Sequence, residues 1–206
     1  MTTFYGSLQH NYEPKREDND ICTVPFLEAT KDSIIGLLDV IGPTAFAIVK
    51  SDVSGNIQKL YLKYESDKER FITLGAMLDE EKEANKSWAK NSATDALLWL
   101  NRGLGFICSF IRNVLDTTSA DKILESCMTR AYESSLKEFH GWMAQKLTSL
   151  TFKALPYREG FISSLSNGAP EEQFLDELRA YHQLLELHVQ TIDKLFIDRD
   201  LDLKHC

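Results

Sequence analysis

The sequence predicts an all-α fold on the basis of three observations. Apolar residues recur at steps of three and four residues along most of the chain, which is the period of an amphipathic helix. No alternating strand pattern runs for more than a few residues. The main breaks fall at turn-forming residues, namely Gly42-Pro43, Pro156 and Asn167-Gly168. We therefore expect about eight helices in a single domain, residues 21–206, after a polar N-terminal tail, residues 1–20.

Three helices are predicted in the first half of the domain. The first covers residues 25–41 and ends at Gly42-Pro43. The second covers residues 44–66, because Pro43 is suited to the start of a helix. Gly55 lies inside this second helix, where glycine costs about 1 kcal/mol relative to alanine, so we expect a group to approach the backbone there. The third helix covers residues 67–85.

Four more helices are predicted in the second half of the domain, three of them long. Residues 91–115 form the fourth helix, and residues 119–152 form the fifth, which Pro156 closes. A short helix follows over residues 157–166. The last helix covers residues 171–199, after the turn at Asn167-Gly168.

Composition and charge exclude several classes of function. The chain has 206 residues, of which 43% are hydrophobic, and its formal net charge is −8, so nucleic acid is not the expected partner. The N-terminus lacks a signal-peptide pattern, and no run of about 18 apolar residues predicts a membrane span. The four cysteines are widely spaced, and Cys108 lies in an apolar run as a small buried residue. A reduced, cytoplasmic protein is expected.

A polar triplet follows the apolar run at the start of the second helix. Asp52, Asn56 and Lys59 are spaced by four and three residues, which places them on one helix face. A carboxylate, an amide and an ammonium group would then reach one ligand. The alternative is an ordinary solvated helix face.

Aromatic residues in the fourth and fifth helices allow two interpretations. Trp99 shares a face with Phe106 and Phe110, which indicates either core packing or an indole platform for a sugar ring. His140 lies on a predicted stripe with Tyr132, Leu136 and Met143, which is compatible with a core histidine. Trp142 points away from that stripe beside Lys146, and it is either an interface anchor or a contact with a neighbouring helix.

Catalytic and metal-binding patterns are not found. The chain has no zinc-protease, nucleophile-elbow, phosphate-loop or dinucleotide-binding motif. His182 and His188 are six residues apart and lie on different helix faces, so they are poor partners for a metal. We expect no catalytic residues, no metal and no cofactor.

Several of these stretches together resemble the glycolipid transfer protein family. The resemblance extends from about Pro25 to about Lys194, and it is carried by PFLEA, VKSDVSGNIQKL, ATDALLWLNRGLGFI, AYESSLKEFHGWMAQK and PYREGFISSLSNG. It implies a two-layer helical sandwich that encloses the hydrocarbon chains of one sphingolipid in a hydrophobic tunnel. It also implies non-enzymatic transfer of glycosphingolipids between membranes.

The resemblance implies a role for each candidate residue. The residues that match Asp52, Asn56 and Lys59 bind the sugar headgroup, and the one that matches Trp99 stacks under the first sugar. Asp52 and His140 bind the ceramide amide. Trp142, with Lys146, takes part in membrane docking. Eight apolar residues are expected in the tunnel wall: Leu37, Leu38, Val49, Phe106, Phe110, Leu136, Phe152 and Leu155.

The expected partners are a glycosphingolipid, such as glucosyl-, galactosyl- or lactosylceramide, and transiently a membrane surface. A cytoplasmic, peripherally membrane-associated monomer is expected. The alternatives are a glycolipid sensor with little transfer, and ceramide-1-phosphate transfer, which Trp99 disfavours because that branch has a basic residue there. A hydrolase that uses Asp52 and His140 is a remote third alternative.

Three positions depart from the family pattern. Leu37-Leu38 replaces a double-phenylalanine motif that contacts a protein partner, and Leu203 falls where a sugar-binding tyrosine is expected. Lys153 replaces an aromatic docking residue. Headgroup affinity and membrane docking are therefore expected to differ in detail from the family pattern.

Overall fold

The computed structural model describes residues 1–14, 16–116, 124–153, 155 and 157–205. Their α-helices are α1 (Thr23–Thr30), α2 (Gly36–Ile41), α3 (Ala47–Ser66), α4 (Leu74–Glu83), α5 (Ala93–Leu115), α6 (Leu124–Glu133), α7 (Trp142–Phe152), α8 (Arg158–Ser166) and α9 (Glu171–Ile197). Over the described ranges, the one strand-like pairing is an isolated bridge between Cys22 and Thr73. The predicted all-α class is confirmed. Within the same ranges, no helix is both long enough and apolar enough to cross a bilayer.

The first two predicted helices are present with shifted boundaries. A π-helical segment, Lys31–Ile35, joins α1 to α2, so the first helix is continuous from residue 23 to residue 41. It ends where the Gly42 N–H donates to the Leu38 carbonyl at 3.2 Å. Residues 43–46 then form turns, and α3 begins at Ala47 rather than directly after Pro43.

The prediction of one long helix over residues 119–152 was wrong. Residues 117–123 and Pro156 lie outside the described residues, and the rest divides into α6, a 3₁₀ turn at Lys137–Phe139, and α7. The Ser134 and Ser135 hydroxyls both donate to the Ala131 carbonyl, at 3.0 and 2.6 Å, and such local bonds compete with helix continuation. The backbone is extended at His140. His140 is therefore positioned by a turn and not by a helical stripe.

The first 20 residues do not form the expected polar tail. Tyr5 and Tyr12 are only 5% and 3% exposed. The Tyr5 ring centroid lies 4.6 Å from that of Tyr181 in α9, and the Tyr12 ring lies 4.8 Å from His188. Burial raises the pKa of Tyr12 to about 12. The segment is polar in composition, but its tyrosines reach the core and pack on α9.

Helix α5 lies at the centre of the fold and packs against α3, α4, α6 and α9. Asn101, Cys108 and Arg112 are spaced by seven and four residues, and all three contact α9. The Asn101 amide donates to Asp193 Oδ1 at 2.8 Å, and Cys108 Sγ lies 3.4 Å from His182 Nε2. Arg112 pairs with Glu186. One face of α5 is therefore fixed against α9 by polar contacts.

The N-terminus of α5 is capped by Glu81 of α4 and by the residue that precedes α5, Ser92. The buried Glu81 carboxylate, from α4, accepts hydrogen bonds from the Ala93 and Thr94 N–H groups, each at 2.8 Å. Ser92 Oγ accepts from the Asp95 N–H at 3.1 Å. A carboxylate at a helix N-terminus also interacts favourably with the helix dipole. The start of α5, including Asp95, is held in place by these contacts.

No described side chain or backbone group of the protein approaches Gly55. A Cβ atom built on this residue meets no heavy atom within 4 Å, and Gly55 is exposed. The described part of the chain therefore provides no packing reason for glycine at this position.

We predict that Gly55→Ala stabilises the protein by about 1 kcal/mol, because alanine has the higher helix propensity and meets no steric conflict. Gly75→Ala is the control, since its Cβ would lie 2.7 Å from Arg199 Nη2 and would also meet the Asp20 carboxylate. Urea denaturation followed by circular dichroism measures both free energies of unfolding. A Gly55→Ala variant that is no more stable than the parent would contradict the prediction.

Candidate functional site

A cavity of about 530 Å³ opens among α3, α5 and α7. A single water molecule needs about 10–15 Å³ of such space, so this is not a packing defect. The wall is mostly apolar: Ile34, Leu38, Ala45, Phe46, Ile48, Val49, Val53, Gly103, Leu104, Phe106, Ile107, Leu136, Ala144, Leu147 and Phe152. The remaining lining residues have polar groups: Asp52, Asn56, Lys59, Asp95, Trp99, Tyr132, His140, Thr148 and Thr151.

The polar residues of α3 and α5 collect toward one end of the cavity. On α3 the lining stripe begins with apolar residues at Ile48 and ends with Lys59, and on α5 it begins with Asp95 and ends with Ile107. Both stripes follow three- and four-residue steps, so each is one helix face. The late residues of α3 and the early residues of α5 therefore form a polar mouth on an apolar cavity.

The predicted triplet comes together at this mouth. Asn56 is 4% exposed, and Lys59 Nζ donates to its Oδ1 at 3.2 Å. Asp52 is exposed at the opening, yet desolvation by the surrounding protein raises the pKa of its carboxyl group, while Lys59 and His140 partly oppose that rise. The three side chains of the triplet all line the cavity.

His140 faces the same mouth and pairs with Tyr132. Tyr132 Oη lies 3.0 Å from His140 Nδ1, so Nδ1 is the ring nitrogen that Tyr132 engages. Burial raises the pKa of Tyr132. Burial also lowers the pKa of His140, with Asp52 acting in the opposite direction, which favours a neutral ring.

Trp99 is half-buried in the lining rather than sealed in the core. Its ring centroid lies 6.5 Å from that of His140, with the two planes 19° apart. Phe139 meets it edge-on at 6.5 Å. The indole is therefore a wall of the mouth, close to the residues of the polar cluster.

Arg102 connects Trp99 to the C-terminal segment. Its guanidinium carbon lies 4.6 Å from the Trp99 ring centroid and 3.7 Å from that of Phe139. Its Nη2 donates to the backbone carbonyls of Leu203 and His205, both at 2.8 Å. Leu203 thus contributes its carbonyl to the support of Arg102.

The eight residues predicted for the tunnel wall divide between the cavity and the core. Five of these residues line the cavity: Leu38, Val49, Phe106, Leu136 and Phe152. The other three do not. Leu37 and Phe110 are fully buried in the solid core, where Phe110 packs edge-on against Phe161, and Leu155 packs against that core. Helical period alone does not separate the cavity face from the core face of an apolar helix.

Sequence reasoning missed Asp95. Its carboxylate lies in the lining, one turn before Trp99. The spacing Asp95, Trp99, Gly103, Phe106 follows steps of four, four and three residues, which is one helix face. Once Trp99 is assigned to the site, this spacing predicts that Asp95 lies there too.

An exposed apolar surface adjoins the cavity. Trp142, the first residue of α7, is 73% exposed, and Met143, which the predicted stripe placed beside His140, is also exposed. Ile48 and Leu147 are both exposed and both line the cavity. Contiguous exposed apolar side chains of this kind mark interaction surfaces.

One group of possible metal ligands occurs in the described part of the chain, outside the cavity. The ligand atoms of His10, Glu28 and Asp32 lie within 4.8 Å of one another. His10 Nδ1 pairs with Asp32 at 2.7 Å, and Glu28 accepts a hydrogen bond from Tyr61. His10 and Asp32 therefore pair with each other, and Glu28 pairs with Tyr61 outside the cluster.

Comparison with known proteins identifies the fold. A family profile described as glycolipid transfer protein matches residues 21–167. The zebrafish (Danio rerio) glycolipid transfer protein is 36% identical over 208 residues, covering 96% of this chain and 98% of the relative. A solved structure that shows how FAPP2 selects simple glycosphingolipids using the GLTP-fold superimposes with a TM-score of 0.88, at 32% identity and with 97% of each chain covered.

The chain belongs to the glycolipid transfer protein family. The predicted two-layer all-α sandwich of this family is thereby confirmed. The apo structure of mouse ceramide-1-phosphate transfer protein also superimposes with a TM-score of 0.88, at 20% identity and with 98% of each chain covered. The fold is therefore shared by relatives named for a glycolipid and by one named for ceramide-1-phosphate.

We predict that Gly103→Leu obstructs the cavity without unfolding the protein. A Cβ on Gly103 meets no heavy atom within 4 Å, and the residue lines the cavity, so a larger side chain has room to enter it. Uptake of a fluorescent apolar probe should fall at least about tenfold, as expected when burial of a few methylenes is lost. Gly103→Ala is the matched control and should retain most uptake. Undiminished uptake by a folded Gly103→Leu protein would count against the cavity as the binding site.

Proposed function

We propose that this protein binds one glycosphingolipid and transfers it between membranes without changing it chemically. The observation that carries the proposal is the combination of an apolar cavity with a mouth formed by an indole, a carboxylate, an amide and an ammonium group. Such a site matches a ligand that is part hydrocarbon and part sugar. Family membership and the zebrafish relative support the same conclusion.

The apolar part of the cavity is proposed to shelter hydrocarbon chains. Each buried methylene is worth about 0.8 kcal/mol, so a two-chain lipid cannot leave a bilayer through water at a useful rate. A cavity needs only to match the bilayer as a solvent for these chains. Phe106 and Phe152, whose rings stack at a centroid distance of 6.1 Å, would form part of that environment.

The mouth is proposed to recognise the sugar. An indole face packs well against the apolar C–H face of a sugar ring, which suits Trp99. Asp52, Asn56 and Lys59 offer acceptors and donors for hydroxyl groups. Each hydrogen bond contributes about 1 kcal/mol net, so several of them together can determine selectivity.

The ceramide amide is proposed to bind between Asp52 and His140. The amide N–H needs an acceptor, which an ionised Asp52 provides, and the amide carbonyl needs a donor, which His140 Nε2–H provides. Tyr132 lies on the Nδ1 side of the ring, which would leave Nε2 to the ligand. A protonated His140 would still donate, but a protonated Asp52 would lose acceptor capacity.

A neutral sugar is favoured over a phosphate as the headgroup. In the part of the lining that the structure describes, two carboxylates face one lysine, Lys59. Arg102, the second basic position of the phosphate-binding branch, donates to the Leu203 and His205 carbonyls. A phosphate monoester needs cationic donors, and the carboxylates at this mouth would oppose it.

We also propose that the α7 surface docks on membranes. Trp142 is an exposed indole of the kind that favours the lipid–water interface, and Lys146 is exposed in the same helix. Ile48 and Leu147 continue the apolar surface to the cavity, which would give the lipid a direct route. The proposed state is a cytoplasmic monomer that contacts membranes transiently, with glucosyl-, galactosyl- or lactosylceramide as cargo.

Two other functions make different predictions. A glycolipid sensor would bind glycosylceramide in the same cavity but would move little of it between vesicles. A hydrolase that uses Asp52 and His140 would convert its lipid, whereas a transfer protein returns it intact. Mass spectrometry of the lipid after a vesicle-to-vesicle transfer assay separates all three functions.

We predict that Trp99→Ala and Asp52→Val each reduce transfer of labelled galactosylceramide at least about tenfold, through loss of stacking or of hydrogen bonds that bind the ligand. Their circular dichroism spectra should match the parent. The control is Asp39→Asn, which removes a carboxylate that pairs with Lys50 outside the cavity lining. Normal transfer by either folded site variant would refute the headgroup assignment.

We predict that Trp142→Ala weakens vesicle binding about tenfold or more, because insertion of a large aromatic side chain is lost. The ratio of glucosylceramide to ceramide-1-phosphate bound should stay constant. Leu62→Ala, which removes an exposed apolar side chain of α3, is the control. Vesicle co-sedimentation measures docking. A Trp142→Ala protein that binds vesicles normally but has a changed lipid preference would contradict the docking role.

A further inference from the structure

Asp95 is a carboxylate in the cavity lining to which the proposed function assigns no contact with the sugar. It lies in the first turn of α5, four residues before Trp99, so both side chains leave the same face of the helix. Both line the polar mouth together with Asp52, Asn56 and Lys59. Asp95 is half-buried there. The mouth thus contains a second carboxylate close in sequence and space to the indole platform.

Helix capping does not require this carboxylate. In a reciprocal capping box, the Asp95 side chain would accept from the Ser92 N–H, but that N–H donates instead to the Ala89 carbonyl at 3.0 Å. Glu81 already accepts from the Ala93 and Thr94 N–H groups. Among the residues that the structure describes, none forms a hydrogen bond or ion pair with the Asp95 carboxylate. It is therefore available to a ligand in the cavity mouth.

We propose that Asp95 is a second headgroup carboxylate, which accepts a hydrogen bond from a sugar hydroxyl and selects uncharged headgroups over anionic ones. The proposal rests on the proposed function and specifies its ligand class. An ionised carboxylate only accepts hydrogen bonds, and a sugar hydroxyl can donate one. A sulfate or phosphate ester offers acceptors and a like charge, so Asp95 repels it at short range. The described lining contains two carboxylates, Asp52 and Asp95, and one lysine, Lys59.

The test compares two lipids that differ only in charge. Vesicles contain galactosylceramide or its sulfate ester, sulfogalactosylceramide, with the same acyl chain, and binding to the full-length protein is measured for each. Asp95→Asn keeps the shape of the side chain and removes the charge. The control is Glu172→Gln, which removes a first-turn carboxylate from α9, outside the cavity lining. It reproduces the effect on a helix dipole without changing the mouth.

We expect Asp95→Asn to weaken galactosylceramide binding about threefold to tenfold, and to raise the ratio of sulfated to neutral lipid bound about tenfold. Asp95→Leu, which also removes the acceptor, should weaken neutral lipid binding further. Glu172→Gln should change neither quantity.

Three results would overturn the proposal. An Asp95→Asn protein with the parent's affinity and lipid ratio would show that the carboxylate does not contact the headgroup. An equal loss of both lipids, together with a lowered thermal midpoint, would assign Asp95 to stability of α5. A parent protein that binds neither lipid would overturn the proposed function itself, whereas a failure confined to the Asp95 variants would leave that function intact.

Discussion

The cavity depends on the packing of α5 against α9. A hollow lined by apolar side chains is unfavourable, and helices around it collapse unless other contacts hold them apart. Asn101, Cys108 and Arg112 fix one face of α5 to α9, and Glu81 fixes its N-terminus. The opposite face of α5 is thereby free to remain unfilled. The same helix is both part of the solid core and one wall of the cavity.

This arrangement also separates two kinds of recognition. The hydrocarbon part of the cavity is non-directional, because apolar burial depends on area and not on orientation. The mouth is directional, since Asn56, Lys59 and the Tyr132–His140 pair have defined hydrogen-bonding geometries. Under the proposed function, ligand choice would depend on a small polar cluster whose members come from α3, α5 and the turn before α7. Each of them is positioned by an element that packs elsewhere in the fold.

Trp99 is supported by Arg102 and, through it, by the C-terminal segment. The Arg102 guanidinium lies against both the Trp99 and Phe139 rings and donates to the backbone carbonyls of Leu203 and His205. Backbone carbonyls do not depend on side-chain identity. The contact therefore fixes the position of Arg102 without requiring a particular side chain at residue 203.

The sequence by itself determined the all-α class, most helices and the triplet of α3, because these depend on local periodicity and on spacing within one helix. Tertiary structure decided what depends on contacts between helices. In place of the helix predicted over residues 119–152, the structure has shorter helices and a turn that positions His140. Tyr5 and Tyr12, in the segment expected to be a polar tail, are buried against α9. Tertiary structure also sorted Phe106 to the cavity and Phe110 to the core, although both follow the same helical period. Period gives the face of a residue within its helix, and only packing determines whether that face meets a core, a cavity or solvent.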